Sequence, residues 1–315
     1  MIENRYWLET SDRQSLYVRS WQNKTEPKAV VQLTHGMAEH IERYHDFAVF
    51  LQERSFIVYG HDHRGHGRTG NNADSLGHIA DQDGFESMVE DTITVTEWIS
   101  KKHPSLPVFL IGHSMGSFVS RRYMTIRPEL LNGVVLIGTG FQPNVLLHAA
   151  KFLAKIICSV QGKQTPATLL HKLSFFGYNK YTEKNNEFDW LCTDKSIIDK
   201  YNQDPYCGIT LSNQFFYDLY DGLLSIQSTK QTKKPSCDLP LLLLSGKEDP
   251  VGDYGKSLKK TVRYYKSRGN NNIEHTLYVN RRHEILNETN KTEVFLEIAT
   301  WIEKQMACHK DTQSV

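Results

Sequence analysis

Residues 110–119 read LIGHSMGSFV and place Ser114 between two glycines, directly after an apolar run. The stretch from Gly112 to Gly116 fits the pattern G-x-S-x-G. In this pattern a strand stops, the chain turns sharply into a helix, and the serine sits at the tip of the turn in a strained conformation. A Cβ atom at either glycine would clash in such a turn. The pattern therefore predicts a nucleophilic hydroxyl at Ser114, exposed at the end of a strand.

Strand and helix patterns alternate on both sides of this stretch. The strand runs are too continuously apolar for a half-exposed sheet, so helices must cover both faces. We therefore predict an α/β fold with a mostly parallel, doubly wound central sheet. RYWLET and SLYVRSW predict an antiparallel hairpin in front of it. The other predicted strands are AVVQLTH, FIVYGHD, VFLIGH, GVVLIG, PLLLLSG and HTLYVN.

The alternation breaks over residues 141–236, where aromatic residues and leucines recur at helical spacing without strand runs. We predict three segments, namely a first part of the core (1–140), an inserted helical lid (141–236) and a second part of the core (237–315). Within the lid, residues 145–160 are interrupted by polar side chains. This run falls short of the ~20 apolar residues that span a bilayer, so it predicts an amphipathic helix.

Composition excludes several classes of partner. The 315 residues include 37 Lys and Arg against 36 Asp and Glu, so no overall field attracts nucleic acid. The first residues lack the pattern of a secretory signal, which predicts a cytoplasmic protein. An odd number of scattered cysteines argues against a disulfide framework and a thiolate metal site, and composition leaves the oligomeric state open. The cysteines are Cys158, Cys192, Cys207, Cys237 and Cys308.

A serine hydroxyl needs a base and an orienting acid, in the chain order serine, acid, histidine. Asp249 follows the strand pattern PLLLLSG, and His283 follows HTLYVN. Because the carboxyl ends of parallel strands meet at one edge of the sheet, we expect both side chains near Ser114. The residues at less suitable positions are Glu248, Asp253, His275 and His309.

An acyl-transfer site also needs an oxyanion hole, made by the N–H after the nucleophile and an N–H from the loop after an earlier strand. Met115 supplies the first donor. The stretch THGMAEH supplies the second, since Gly36 lets the backbone approach the substrate and Met37 offers its amide.

The motif set HGMAEH, DHRGHGRTG, GHSMGS, GKEDPV and NRRHEILNE resembles the monoacylglycerol lipase and lysophospholipase branch of the serine α/β-hydrolases, which is serine aminopeptidase S33-like. The resemblance covers most of the chain, including FDWLCTD and YNQDPYCGI in the lid. It implies the α/β-hydrolase fold, hydrolysis of single-chain acyl esters (monoacylglycerol or lysophospholipid) and no cofactor or metal. By this resemblance Ser114 corresponds to the nucleophile, Asp249 to the acid and His283 to the base. Met37 and Met115 correspond to the oxyanion donors.

Other functions remain open at this point. His61, His63 and His66 have the H-x-H-x-x-H spacing of a metallo-hydrolase, since imidazoles so placed can ligate zinc. A carboxylesterase acting on short soluble esters would carry the same motifs. A non-catalytic ligand-binding homologue would keep the fold without the chemistry.

The predicted lid is the part of the chain from which we infer the kind of substrate. Its amphipathic helix has a wide apolar face that is expected to line an acyl pocket or to touch a membrane surface transiently, which would make the protein peripherally membrane-associated. Packing of this face on the core is the alternative. The residues expected to line the pocket are Leu146, Leu147, Phe152 and Leu153.

Overall fold

The computed structural model describes residues 2–228 and 239–313, with side chains as far as Cys308. Cys237 and the His309 side chain lie outside this part of the chain. The described strands are β1 (Ile2–Glu9), β2 (Ser15–Gln22), β3 (Ala29–Thr34), β4 (Phe56–His61), β5 (Val108–His113), β6 (Gly133–Ile137), β7 (Leu241–Gly246) and β8 (Ile273–Tyr278). Each corresponds to one predicted strand run.

Helices connect most of these strands. The described α-helices are α1 (His45–Glu53), α2 (Gly67–Asn72), α3 (Gly84–Lys102), α4 (Met115–Ile126), α5 (Asn144–Gln161), α6 (Thr168–Ser174), α7 (Lys195–Gln203), α8 (Asn213–Gln227), α9 (Lys256–Ser267) and α10 (Lys291–Gln313). Short 3₁₀ helices cover Ile41–Tyr44, Pro128–Leu130 and Tyr178–Tyr181.

The strands form one sheet in the order β1-β2-β4-β3-β5-β6-β7-β8. From β4 to β8 along this order every neighbouring pair is parallel, while β1 pairs antiparallel with β2, and β2 with β4. The predicted, mostly parallel sheet with its leading hairpin is confirmed. Because β3, β5, β6, β7 and β8 run in one direction, the loops that follow them emerge at one edge of the sheet.

Helices cover both faces of the sheet, as predicted. Side chains alternate between the faces along a strand. On β5, Phe109 and Ile111 pack in the cluster that contains α1 and α10, whereas Leu110 packs in the cluster that contains α3 and α4. Each large apolar side chain buried in this way contributes about 1.5–3 kcal/mol, which explains why the predicted strand runs are apolar throughout.

Among the described residues between β6 and β7, we call residues 141–228 the cap segment. It contains α5 to α8 and, within these residues, only the isolated bridge between Pro166 and Ser212 as β-structure. Helix α5 packs on α8, and α8 packs on α3 and α4. Residues 229–236 of the predicted lid lie outside the described residues, and the three-part domain division stays a prediction. No described helix has both the length and the apolarity to cross a bilayer.

Candidate active site

Ser114 lies at the tip of the turn between β5 and α4. Its φ of 52° and ψ of −118° form a combination that residues with a side chain rarely adopt. A Cβ on Gly112 would lie 2.4 Å from the carbonyl oxygen of Gly116. A Cβ on Gly116 would lie 2.2 Å from the carbonyl oxygen of Thr34. Both glycines are therefore required by backbone contacts of the turn that presents the serine.

Asp249 and His283 meet beside this turn, in the loops after β7 and β8. The His283 Nδ1 lies 3.0 Å from the Asp249 Oδ2, and both side chains are buried. Among the described residues neither atom has another hydrogen-bond partner. The second carboxylate oxygen of Asp249 accepts from the backbone N–H of Val251 at 2.8 Å. The carboxylate is thus held with one oxygen toward the imidazole. At this distance, a better alignment of the imidazole and the carboxylate upon substrate binding gives a strong hydrogen bond.

Among the described residues, the acids at the other candidate positions do not pair with His283, although Asp253 lines the same cavity as Ser114. Asp253 is partly exposed and pairs with Lys256 at 3.3 Å. His275 is exposed on β8. The structure therefore brings together Ser114, Asp249 and His283, with Ser114 and His283 lining the same cavity. Their assignment as nucleophile, acid and base stays a prediction.

The loop after β3 lies against the serine. A Cβ on Gly36 would be 3.2 Å from the Ser114 Cβ. Met37 and Met115 line the same cavity as Ser114. The Met115 amide opens α4, and the first amides of a helix have no carbonyl partner within it. Both predicted oxyanion donors are thus next to the serine, and their role stays a prediction.

A charged cluster that none of the sequence motifs indicates lies beneath these loops. Arg43 donates to Glu39 at 2.5 Å and to both carboxylate oxygens of Glu284 at 2.7 Å. Both glutamates are buried. Burial raises the pKa of the Glu39 and Glu284 carboxyls, but the charge of Arg43, their side-chain hydrogen bonds and the nearby His113 together outweigh burial, so both pKa values fall below their ordinary values. All three side chains therefore remain charged at neutral pH.

The cluster connects three loops of the candidate site. Glu39 accepts the backbone N–H of Gly36 at 2.6 Å and lies 3.2 Å from Nδ1 of His113, the residue before Ser114. The other ring nitrogen of His113 lies 3.4 Å from the carbonyl oxygen of His283. Burial lowers the pKa of His113, but the hydrogen bond to Glu39 and the negative charge of Glu39 raise it by a larger amount. The pKa of His113 is therefore above its ordinary value. This cluster fixes the relative positions of the serine, the histidine and the loop of Met37.

The cap segment holds the histidine loop from the other side. The backbone N–H of Glu284 donates to the carbonyl of Leu191 at 2.7 Å, and that of His283 to the carbonyl of Trp190 at 3.5 Å. The Trp190 ring lies 5.1 Å from the His283 ring, centroid to centroid. The position of the histidine therefore depends on the cap segment as well as on the core.

The histidines of the metallo-hydrolase alternative are buried near one another, but their ligand atoms do not converge on one point. His61, His63 and His66 are fully buried, and His63 also contacts His35. Among the described residues, one group of three potential ligands has all its ligand atoms within 4.8 Å of one another. This group is His40, Asp204 and Cys207. The structure therefore does not support zinc ligation by the H-x-H-x-x-H stretch.

Burial of these histidines predicts a pH-dependent stability. Burial lowers the pKa of His61 to about 3 and that of His66 to about 4. These folded-state pKa values lie below the unfolded value of about 6.5. The contribution of the neutral histidines to the free energy of unfolding is therefore fully present above pH 6.5 and is lost as the pH falls below 6.5. Each such histidine costs about 1.4 kcal/mol per pH unit in that range. We expect a lower free energy of urea unfolding at pH 5 than at pH 7.5.

Acidic groups also contribute to this pH dependence, so a variant isolates the histidine contribution. His61 has no described partner for either ring nitrogen, and phenylalanine has a ring of similar size. His61→Phe should reduce the loss between pH 7.5 and pH 5 by about 2 kcal/mol. An identical loss in the two folded proteins would contradict the assignment of a neutral, buried His61.

A large cavity opens beside Ser114. Its volume is about 1280 Å³, and core and cap residues line it together. Of the four residues expected to line an acyl pocket, Leu146, Leu147 and Leu153 line this cavity. The expectation for Phe152 is wrong, because this residue is not among those that line the cavity, and its side chain is 66% exposed. The apolar cap residues on the wall include Leu146, Leu147, Leu153, Leu170, Phe175, Phe216, Leu219 and Leu223.

Known proteins resemble this chain over nearly its whole length. A monoglyceride lipase of Mus musculus is 29% identical over 310 residues, covering 95% of this chain and 90% of that protein. A monoacylglycerol lipase of Mycolicibacterium smegmatis is 26% identical and covers 90% of each. The crystal structure of a thermostable carboxyl esterase from Bacillus coagulans, in complex with glycerol, superposes with a TM-score of 0.89 at 26% identity, covering 97% of this chain and 99% of that one.

These similarities confirm the predicted fold and the resemblance seen in the motifs. The family model described as serine aminopeptidase, S33, matches residues 25–290, which include every residue of the candidate site. The chain is therefore a member of the serine aminopeptidase S33 family.

Proposed function

We propose that this protein is a serine hydrolase that cleaves carboxylic esters of single-chain acyl lipids, monoacylglycerol or lysophospholipid. The observation that carries the proposal is the buried pair of His283 and Asp249, 3.0 Å apart, beside the strained Ser114 on the wall of a large apolar cavity. The monoglyceride lipases among the relatives support an acylglycerol as substrate.

The proposed mechanism has two acyl-transfer steps. His283 takes the proton of the Ser114 hydroxyl as its oxygen attacks the ester carbonyl, and Asp249 stabilises the imidazolium that forms. The amides of Met37 and Met115 donate to the resulting oxyanion. The alcohol leaves with the proton from His283, and an acyl-enzyme remains. Water then attacks this ester with His283 again as base, which releases the fatty acid and restores the serine.

The cavity supports a long acyl chain over a short one. A volume of about 1280 Å³ with a mostly apolar wall exceeds what an acetyl group needs, and it offers the dry surroundings that strengthen contacts to an oxyanion. The test is kcat/KM across a series of acyl chain lengths, each attached to glycerol, to a lysophospholipid head group and to a simple alcohol. A preference for acetyl and butyryl esters would favour the alternative, a carboxylesterase on short soluble esters.

Two neighbouring residues of α5 have side chains in different surroundings, one at the cavity and one at the protein surface. Leu153 lines the cavity and Phe152 does not. Leu153→Ser should lower the ratio of kcat/KM for a long-chain ester to that for an acetate ester about tenfold, because a polar group replaces acyl contacts. Phe152→Ser should leave this ratio unchanged when both esters are monomeric in solution. If both variants change the ratio equally, the acyl chain does not bind along this part of α5.

We also propose that the cap segment docks transiently on membrane surfaces, where its substrate would be found. Four apolar side chains recur at helical spacing on α5 and are exposed, although exposed apolar groups are costly in water. These are Val145 (83% exposed), Phe152 (66%), Ile156 (45%) and Val160 (79%). We also propose a cytoplasmic location, which the free thiols of Cys158, Cys192 and Cys207 support.

The same pair of variants tests the docking. Phe152→Ser should weaken co-sedimentation with phosphatidylcholine vesicles, whereas Leu153→Ser, whose side chain faces the cavity, should bind them like the unmodified protein. Equal vesicle binding by the unmodified protein and Phe152→Ser would place the membrane contact elsewhere.

A further inference from the structure

A second group of chemically reactive side chains lies outside the proposed triad. His40, Asp204 and Cys207 bring one imidazole, one carboxylate and one thiol together, with their ligand atoms within 4.8 Å of one another. The His40 Nε2 lies 2.8 Å from the Asp204 Oδ2. These are the three ligand types that zinc takes in proteins.

A local turn explains how two of the three donors face the same way. The backbone N–H of Cys207 donates to the carbonyl of Asp204 at 3.0 Å, which closes a turn over residues 204–207. The Asp204 Oδ1 accepts the backbone N–H of Tyr206 at 2.9 Å, so this oxygen is occupied and Oδ2 is directed to His40. The third donor comes from a distant part of the sequence, the core loop after β3.

The charges and the exposure of the group suit a divalent cation. The His40 side chain is 8% exposed and that of Asp204 is 30% exposed, so one edge of the group is open to water. The Arg43 guanidinium lies close to Cys207, but the two carboxylates of Glu39 and Glu284 already neutralise it. A carboxylate and a thiolate would together balance Zn²⁺.

The distances allow the group to close around a metal. Zinc bonds of about 2.0–2.3 Å in a tetrahedron place neighbouring ligand atoms about 3.3–3.8 Å apart. Since the three ligand atoms already lie within 4.8 Å of one another, side-chain movements of about 1 Å are enough to bring them to these distances.

We propose that His40, Asp204 and Cys207 form a Zn²⁺ site, with water as the fourth ligand. Binding breaks the hydrogen bond between His40 and Asp204, the His40 imidazole gives up its Nε2 proton and takes one at Nδ1, and the thiol proton of Cys207 passes to the solvent. The site takes no part in ester hydrolysis. It joins the loop of Met37 to the cap segment, where Tyr201 and Gly208 already donate to the carbonyl of Ala38 at 2.8 and 2.9 Å. The bound metal holds the cap segment against this loop.

Metal binding can be measured without any enzymatic readout, so the result is independent of the proposed function. Co²⁺ replaces Zn²⁺ in such sites, and a thiolate ligand gives it a charge-transfer absorption band in the near ultraviolet. The full-length Ser114→Ala chain is titrated with Co²⁺ alone, and Zn²⁺ is then added to displace it. We expect one Co²⁺ per chain with the thiolate band, and loss of the band when Zn²⁺ is added.

Variants identify the ligands. Cys207→Ser should abolish the band, and Asp204→Asn should weaken Co²⁺ binding at least about tenfold, since even outer-shell changes cost this much. Cys158→Ser changes a thiol on α5 outside the group, and it should bind Co²⁺ like the parent. The absence of a band in the parent chain, or a band retained in folded Cys207→Ser, would overturn the proposal.

Thermal unfolding gives a second measurement on the same proteins. A ligand that binds only the folded state raises the melting temperature. Zn²⁺ should raise Tm for the parent chain and for Cys158→Ser, and leave Cys207→Ser unchanged. An equal rise in all three would mean that Zn²⁺ binds elsewhere, and the proposed site would be wrong.

Discussion

Replacing Ser114 with alanine is expected to reduce kcat for ester hydrolysis by about 10⁴- to 10⁶-fold, because the proposed acyl-enzyme cannot form. The fold should remain intact. Serine and alanine both place a Cβ at the same φ of 52°, so the backbone strain of the turn is equal in the two proteins. The rate is measured with a monoacylglycerol, and unfolding in urea reports stability.

A fluorophosphonate probe provides the control for this result. It should label the unmodified protein and fail to label Ser114→Ala, since the probe reacts with an activated serine. Folded Ser114→Ala that keeps near-parental turnover would refute the serine mechanism. An unmodified protein that neither hydrolyses esters nor reacts with the probe would instead support a non-catalytic ligand-binding homologue.

Replacing Asp249 with asparagine is expected to reduce kcat about 10⁴-fold. In a serine triad this change preserves the shape of the side chain but favours the wrong histidine tautomer and removes the charge that stabilises the imidazolium. The Asp249 side chain is fully buried against His283, so no other described carboxylate takes its place.

Asp253→Asn is the matched control, because Asp253 lies in the same loop and its side chain is partly exposed. It should keep kcat within a few-fold of the parent. The pair of variants also separates the two aspartates of the GKEDPVGD stretch by function. A larger loss in Asp253→Asn than in Asp249→Asn would reverse the assignment of the acid.

The sheet could be predicted because each strand has a local sequence pattern of its own. GVVLIG, for example, is a short β-branched run buried on both faces, and glycines bound it. The cap segment gives no comparable signal. Leu153 faces the cavity and Phe152 faces solvent, although both are large and apolar. Adjacent helical residues point about 100° apart, and composition does not reveal which direction faces the cavity.

The candidate triad could be predicted because strand ends, chain order and residue type all agree. The charged cluster beneath it could not. Arg43 and Glu284 pair across 241 positions of the sequence, and such a pairing has no periodicity. Glu39 and Arg43 do carry a local signal, since they are four residues apart in the HGMAEHIER stretch and can pair on one helical turn. That spacing alone does not indicate which loops the pair would connect.

The hydrogen bonds from His283 and Glu284 to the cap segment have a consequence for engineering. Substrate range in a family of this kind invites transplantation of caps between relatives, as if the cap were a module independent of the core. Here Trp190 and Leu191 accept hydrogen bonds from the loop of the proposed base. A chimaera that exchanges residues 141–228 alone therefore keeps the histidine aligned only if the new cap places backbone carbonyls where those of Trp190 and Leu191 lie. A transplant that also carries the 282–288 loop of the donor keeps these donors and acceptors together.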